Sequence, residues 1–245
     1  MRFANKTAVV TGAAVGIGRA VSAKMATEGA HIVAIDLNEE KLATLKQEIE
    51  EKGGEAMTIV CDVSDEVAVN KAFAAAKERF GMIHILINNA ALWRDFSPFV
   101  ETSTELWKKY LDINVMSVVY CTRAALPDMI DAGYGRVVNV ASVAGVYGNA
   151  RMVHYSATKG ALISMTQALA KEVADNGVLV NAVSPGTVSP SDQEDYDYTQ
   201  ESSMSYMGRT GSCMENAELI CFLASDAASY ITGQNIQIDG CRKKI

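Results

Sequence analysis

Tyr155 and Lys159 stand four residues apart in the stretch HYSATKGAL, His154 to Leu162. On a helix that spacing puts both side chains on one face. A free tyrosine, with a pKa of about 10, transfers protons poorly near neutrality. An ammonium roughly 4 Å from the phenol oxygen stabilises the phenolate by up to about 4 kcal/mol at an effective dielectric of about 20. The pair is therefore expected to do acid–base chemistry, with Tyr155 exchanging the proton and Lys159 bringing it towards neutrality. Ser142 closes the apolar run GRVVNVAS. A hydroxyl there can donate to a substrate oxygen, orienting it and stabilising developing charge.

A second set of residues has the chemistry of phosphate and ribose binding. TGAAVGIG (11–18) follows an apolar run and opens an amphipathic stretch. In that strand–turn–helix setting Gly12 permits a tight turn, Gly16 lets backbone approach a pyrophosphate, and Gly18 lets helix and sheet pack closely. The helix N-terminus offers free N–H groups and positive dipole to the phosphates. Asp36 ends the next apolar run, where a carboxylate accepts from both adenosine ribose hydroxyls and repels a 2′-phosphate. Val15 and Leu37 stand where a basic residue would receive that phosphate. The cofactor expected is NAD. Asp62 and Val63 are expected at the adenine edge. Asn88, Asn89 and Ala90 border the same crevice, where the asparagine amides either brace the loops or are purely structural.

Elements that could position these groups are visible as alternating short apolar runs and longer amphipathic stretches. Strands are expected at 7–12, 31–36, 56–63, 83–90, 135–142, 178–186 and 235–240. Between them fall helices at 16–29, from a cap at Asn38 to Gly53–Gly54, from a cap at Ser64 to Phe80, across a partly broken 102–131, from the Tyr155 region to about Asn176, and near 215–224. Continuous Val/Ile runs indicate strands buried on both faces. The expected fold is α/β: a Rossmann-like, doubly wound parallel sheet of about seven strands in one domain spanning 1–245. The acidic segment 187–207 has neither period and is expected to be a substrate lid.

Composition narrows the partners. Of the 245 residues, 49% are hydrophobic and 21% charged, enough apolar material for a core, and the net charge of −7 argues against nucleic acid or an anionic membrane as partner. Five scattered cysteines and three isolated histidines show no metal-ligand spacing or disulfide framework, so no metal is expected and a reducing compartment is. The N-terminus has no uninterrupted apolar core, and no apolar run of about 18 residues follows, so the expected location is cytoplasmic.

With these segments together, the sequence resembles the short-chain dehydrogenase/reductase family in its short, single-domain form. The resemblance covers nearly the whole chain. It rests on Thr11 to Gly18, Asn88 to Ala90, Asn114, Ser142, Tyr155 to Lys159, Pro185–Gly186 and the tail 222–240. It implies a hydride transferred between NAD(H) and a secondary alcohol or ketone. The implied catalytic residues are Asn114, Ser142, Tyr155 and Lys159, with Asn114 holding a water in a proton relay to Lys159. The implied cofactor contacts are Gly12, Val15, Gly16, Ile17, Gly18, Asp36, Leu37, Asp62, Val63, Asn89, Ala90, Tyr155, Lys159, Pro185, Gly186 and Val188. Lys159 is implied to hydrogen-bond the nicotinamide ribose, and homotetramers are common among such proteins.

The chain departs from the family pattern at four places: Ala91 for a glycine, Pro190 for a nicotinamide-contacting threonine, Cys213–Met214 around a usual proline, and Cys241 for the last glycine. Ser189 and Thr187 are candidates to replace the lost threonine. Leu92, Trp93, Arg94, 143–153 and the lid aromatics, Tyr196 among them, are candidates for the substrate side. Arg94 and Arg151 are either carboxylate clamps or solvated side chains. An NAD-binding sensor without turnover is the alternative function; an epimerase is excluded by the short stretch after Pro185.

Overall fold

The computed structural model describes residues 1–189 and 195–243. Seven parallel strands form one sheet: β1 (Thr7–Thr11), β2 (His31–Asp36), β3 (Glu55–Val60), β4 (Ile85–Asn88), β5 (Gly135–Val140), β6 (Val178–Pro185) and β7 (Asn235–Ile238). Their order is β3-β2-β1-β4-β5-β6-β7, so the winding reverses between β1 and β4. That reversal opens a crevice beyond the strands' carboxyl ends.

Alternate residues of each strand feed opposite faces. Ala8, Val10, Ile32, Ala34, Ile85 and Ile87 meet α1 (Gly16–Thr27), α2 (Glu39–Glu51) and α8 (Cys213–Leu223) on one side. Val9, Val33, Ile35 and Leu86 meet α3 (Glu66–Phe80), α5 (Ser117–Asp131) and α7 (Val153–Val173) on the other. Every residue of β1, β5 and β6 is buried, as their unbroken apolar runs require.

Several boundaries differ from expectation. β3 stops at Val60, leaving Asp62 and Val63 beyond it; Asp62 accepts from the backbone and hydroxyl of Ser64. Ser64 is thereby spent, and Asp65 caps α3 by accepting from Val67 and Ala68. β4, β5 and β7 are each shorter than their apolar runs. The break in 102–131 is a π turn, Asp112–Met116, between α4 (Thr104–Leu111) and α5. A short helix, α6 (Val143–Tyr147), was not anticipated. The missing proline before α8 is replaced by a capping box between Ser212 and Glu215.

Of segment 187–207, residues 190–194, Pro190 included, lie outside the described residues. The rest is tied down by isolated bridges, Val188 with Gly211, Glu201 with Arg209 and Ser205 with Arg242. Among the described residues, no helix is long and apolar enough to cross a membrane.

Candidate active site

The crevice begins at the turn after β1. Gly12 and Gly16 have φ of 64° and 59°, the left-handed region in which a side chain is strained. A Cβ on Gly18 would lie 2.2 Å from the Gly12 carbonyl oxygen, so that glycine permits helix α1 to close on the turn. Asn89 locks the arrangement: its amide donates to the carbonyls of Thr11 and Gly12, both at 3.0 Å. The Thr11 hydroxyl accepts from the backbone N–H of Asn89 and of Ala90. The side chain of Asn89 therefore braces the turn. Asn88 does likewise deeper down, donating to Thr122 and Asn139.

Helix α1 starts at Val15 without a side-chain cap and without an acid in its first turn. Its first N–H groups thus keep their capacity for an anion. Ile17 packs half-buried against the core. Asp36 accepts from Ala14 N–H through Oδ2 and from Asn38 N–H through Oδ1, both at 3.0 Å, which fixes the carboxylate at the rim. Leu37 beside it is 66% exposed. Val63 is buried, while Asp62 is exposed at the same rim. An uncapped helix start, a glycine turn and a rim carboxylate fit the phosphates and ribose of a dinucleotide.

Arg19, one residue beyond Gly18, went unnoticed in the sequence. Its guanidinium donates to Tyr196 Oη (3.1 Å), Thr44 Oγ1 (3.1 Å) and the Lys41 carbonyl (2.9 Å), and pairs with Glu48 (3.1 Å). Tyr196 in turn donates to Glu48 Oε2 at 2.7 Å. Tyr196, expected over the substrate, thus lies over α1 and α2 instead, drawn there by an arginine and a carboxylate remote in sequence.

The proton-handling groups converge at the ends of β5 and α7. Ser142 caps α6, accepting from Ala144 N–H, and its hydroxyl faces that of Tyr155, favouring the phenolate. Lys159 is buried below, its Nζ donating to the Val140 carbonyl at 2.6 Å and lying 5.9 Å from the Tyr155 ring centre. Gly145, also missed in the sequence, lets α6 sit on α7: a Cβ there would stand 2.5 Å from the Lys159 carbonyl carbon.

The expected tuning runs the other way from the protein's own groups. Burial pushes the Tyr155 phenol up, with the Ser142 hydrogen bond pulling it back only in part. Burial also pushes Lys159 down to about 7. Both shifts have burial as their first cause, which disfavours the charged form of each group.

Asn114 lies in the π turn, wholly buried. Its Oδ1 accepts from Leu92 N–H at 2.7 Å, and its Nδ2 donates to the Leu92 carbonyl (2.9 Å) and Thr158 Oγ1 (3.1 Å). The side chain clamps the strand-end loop to α7, next to Lys159. π turns occur often at functional sites because they re-aim one residue of a helix.

Across the crevice, Gly186 follows Pro185 so tightly that a Cβ would lie 2.8 Å from Asp239 Cα. Val188 packs on the core. Ser189 shares its buried hydroxyl with Thr210 at 2.8 Å and is spent, whereas Thr187 is exposed. The outer wall comprises the loop after β4, the turn after α6 and the segment after β7. Ser97 N–H donates to the Arg151 carbonyl, Tyr147 to Gln237, and Arg242 to Asn149 Oδ1. Tyr110 donates to Asp95 and stacks edge-on against buried His154, 4.2 Å between ring centres. Arg94 lies over the Trp93 ring. Among the described residues, no three His, Cys, Asp or Glu side chains are grouped to hold a metal.

Comparison with known proteins agrees with this geometry. The 3-oxoacyl-[acyl-carrier-protein] reductase of Thermotoga maritima is 38% identical over 243 residues, 98% of each chain. The 2-dehydro-3-deoxy-L-rhamnonate dehydrogenase (NAD(+)) of a Sphingomonas species is 36% identical, covering 98% of this chain and 96% of its own. Among solved structures, an NAD+-bound xylitol dehydrogenase superposes with a TM-score of 0.90 at 33% identity, covering 98% of this chain and 100% of that one. The profile described as short chain dehydrogenase matches residues 6–201. With that match, the Rossmann-like sheet and these relatives, the chain belongs to the short-chain dehydrogenase family of oxidoreductases.

Proposed function

We propose that the protein transfers a hydride between NAD(H) and a secondary alcohol or its ketone. The observation that carries this reading is the buried Lys159, its Nζ 5.9 Å from the Tyr155 ring centre and bound to the end of the strand that leads to Ser142, in a crevice whose far rim bears Asp36. NAD, when bound, accepts the hydride from the alcohol carbon or, reduced, returns it to the ketone. Tyr155 takes or gives the proton at the substrate oxygen, and Ser142 turns its hydroxyl to hold that oxygen. Lys159, with a pKa near neutrality, engages the nicotinamide ribose; its charge and that of the oxidised ring both favour the phenolate. Asn114 holds Leu92 and α7 in register, next to Lys159, where it would position a water for proton relay.

NAD rather than NADP is supported by Asp36, by apolar Val15 and Leu37, and by the engagement of Arg19 with Glu48. Two relatives bearing NAD in their names point the same way. The substrate is read as a neutral alcohol; segment 187–207 acts as the lid of a single domain spanning 1–245. Assembly as a homotetramer in the cytoplasm completes the reading.

Reduced-cofactor absorbance across a panel of polyols, cyclic alcohols and sugar acids tests it. Turnover is expected with at least one alcohol, and Tyr155→Phe is expected to lower it by about two to four orders of magnitude while NADH still binds. NADH binding without turnover on any panel member would assign the chain to the sensor class.

A further inference from the structure

The cluster of Arg19, Glu48 and Tyr196 has no part in the hydride chemistry, yet it borders the adenosine end of the crevice. Ala14 joins the two places. Its N–H is held by Asp36, and its carbonyl lies 3.5 Å from Arg19 Nη1. The guanidinium is therefore one residue's breadth from the carboxylate that faces the ribose. Every nitrogen of that guanidinium is engaged: Nε with Tyr196, Nη1 with Lys41 and Thr44, and Nη2 with Glu48. The lock is braced from behind, since Met214 N–H donates to the Tyr196 carbonyl at 2.8 Å and Tyr196 packs against the core.

We propose that Glu48 and Tyr196 set cofactor selectivity by withholding Arg19 from the adenosine ribose edge. A guanidinium released this close to Asp36 could receive a 2′-phosphate through paired charge-assisted hydrogen bonds, although Val15 and Leu37 leave the nearer positions without a cation. Held by Glu48, its charge is neutralised and its donors are filled, so a 2′-phosphate would meet Asp36 without help from Arg19. Glu39 and Glu40 in the first turn of α2 add to the repulsion. Asp36 rejects the phosphate directly; Glu48 and Tyr196 remove the group that would attract it. Although burial alone would raise it, the Glu48 carboxyl is held below its usual range by Tyr196, Lys52 and Arg19, so the lock persists throughout the neutral range.

The inference rests on the NAD reading, and the test separates the two. NADH and NADPH are titrated separately by fluorescence, without substrate, into wild type, Glu48→Gln, Tyr196→Phe and the double variant, with thermal melts confirming folding. NADPH affinity is expected to rise about tenfold to a hundredfold in the double variant and by less in each single variant, with NADH affinity held within about twofold. Adding Arg19→Met to the double variant is expected to abolish the gain. Should the double variant not fold, Glu48→Gln decides alone. Unchanged NADPH affinity in folded variants, or a gain that survives Arg19→Met, overturns the lock and leaves the NAD reading intact. A wild type that prefers NADPH overturns both.

Discussion

The ammonium of Lys159 donates to the main-chain carbonyl of Val140 at 2.6 Å, and this bond fixes the base of the site on the sheet itself. β5 ends at Val140, two residues before Ser142. One strand end therefore sets both the serine above the tyrosine and the lysine below it.

Lys159 gives the protein a pH-dependent stability. Burial lowers it from 10.5 to about 7. Between those values the unfolded chain carries a proton that the folded chain has released, so stability rises with pH across the window. Below about 7 both states are protonated and the slope disappears. Denaturant unfolding from about pH 6 to about pH 8.5, below the range in which the buried cysteines would ionise in the unfolded chain and reverse the trend, is expected to show this rise in wild type and a flatter dependence in Lys159→Met.

Ser142→Ala removes the hydrogen bond that opposes the burial-driven rise in Tyr155. The phenol's pKa then moves further up. In the alcohol-oxidising direction, where the ionised tyrosine is the base, the ascending limb of the pH–rate profile is expected to move to higher pH. The rate below that limb should fall by about ten- to a thousandfold.

Asn114→Ala removes three hydrogen bonds, to the half-buried N–H and carbonyl of Leu92 and to the buried hydroxyl of Thr158, which keeps its bond to the Tyr155 carbonyl. Expected losses are about 2–4 kcal/mol in urea unfolding. Because the clamp holds the loop carrying Trp93 and Arg94, the Michaelis constant for the alcohol should rise more than the dissociation constant for NADH.

Gly145→Ala tests the contact between α6 and α7. The added methyl meets main-chain atoms of Lys159 and Gly160 at 2.5 and 2.6 Å, which cannot rotate away. Helix α6 must lift, taking Ser142 with it. Turnover is expected to fall by about a hundredfold or more with NADH affinity preserved, as measured by stopped-flow and by fluorescence titration.

What the sequence disclosed was local. Unbroken runs such as VLVNAVSP announced doubly buried strands, Asn38 announced a helix start, and TGAAVGIG announced a strand–turn–helix, because each signal lies within one or two adjacent elements. What it hid was tertiary. Arg19 and Tyr196 meet across 177 positions, and nothing local to either foretells the other. The π turn at Asn114 showed only as a weakened helical pattern. The burial of the pair was hidden as well, because spacing gives proximity without the cost of desolvation, and Lys159 is buried. Ser64 was the expected cap of α3, but the pull of Asp62 on its hydroxyl leaves that role to Asp65.

The bridge between Ser205 and Arg242 bears on how substrate preference can be re-engineered. Tyr206 and Met207 also donate backbone bonds to Cys241 and Gly240, and Arg242 reaches on to Asn149. Two stretches far apart in the chain thus form one structural unit. A graft from a relative that exchanges 195–209 while leaving 240–243 behind would separate halves that fold against each other; transplanted together, they should carry their specificity with them.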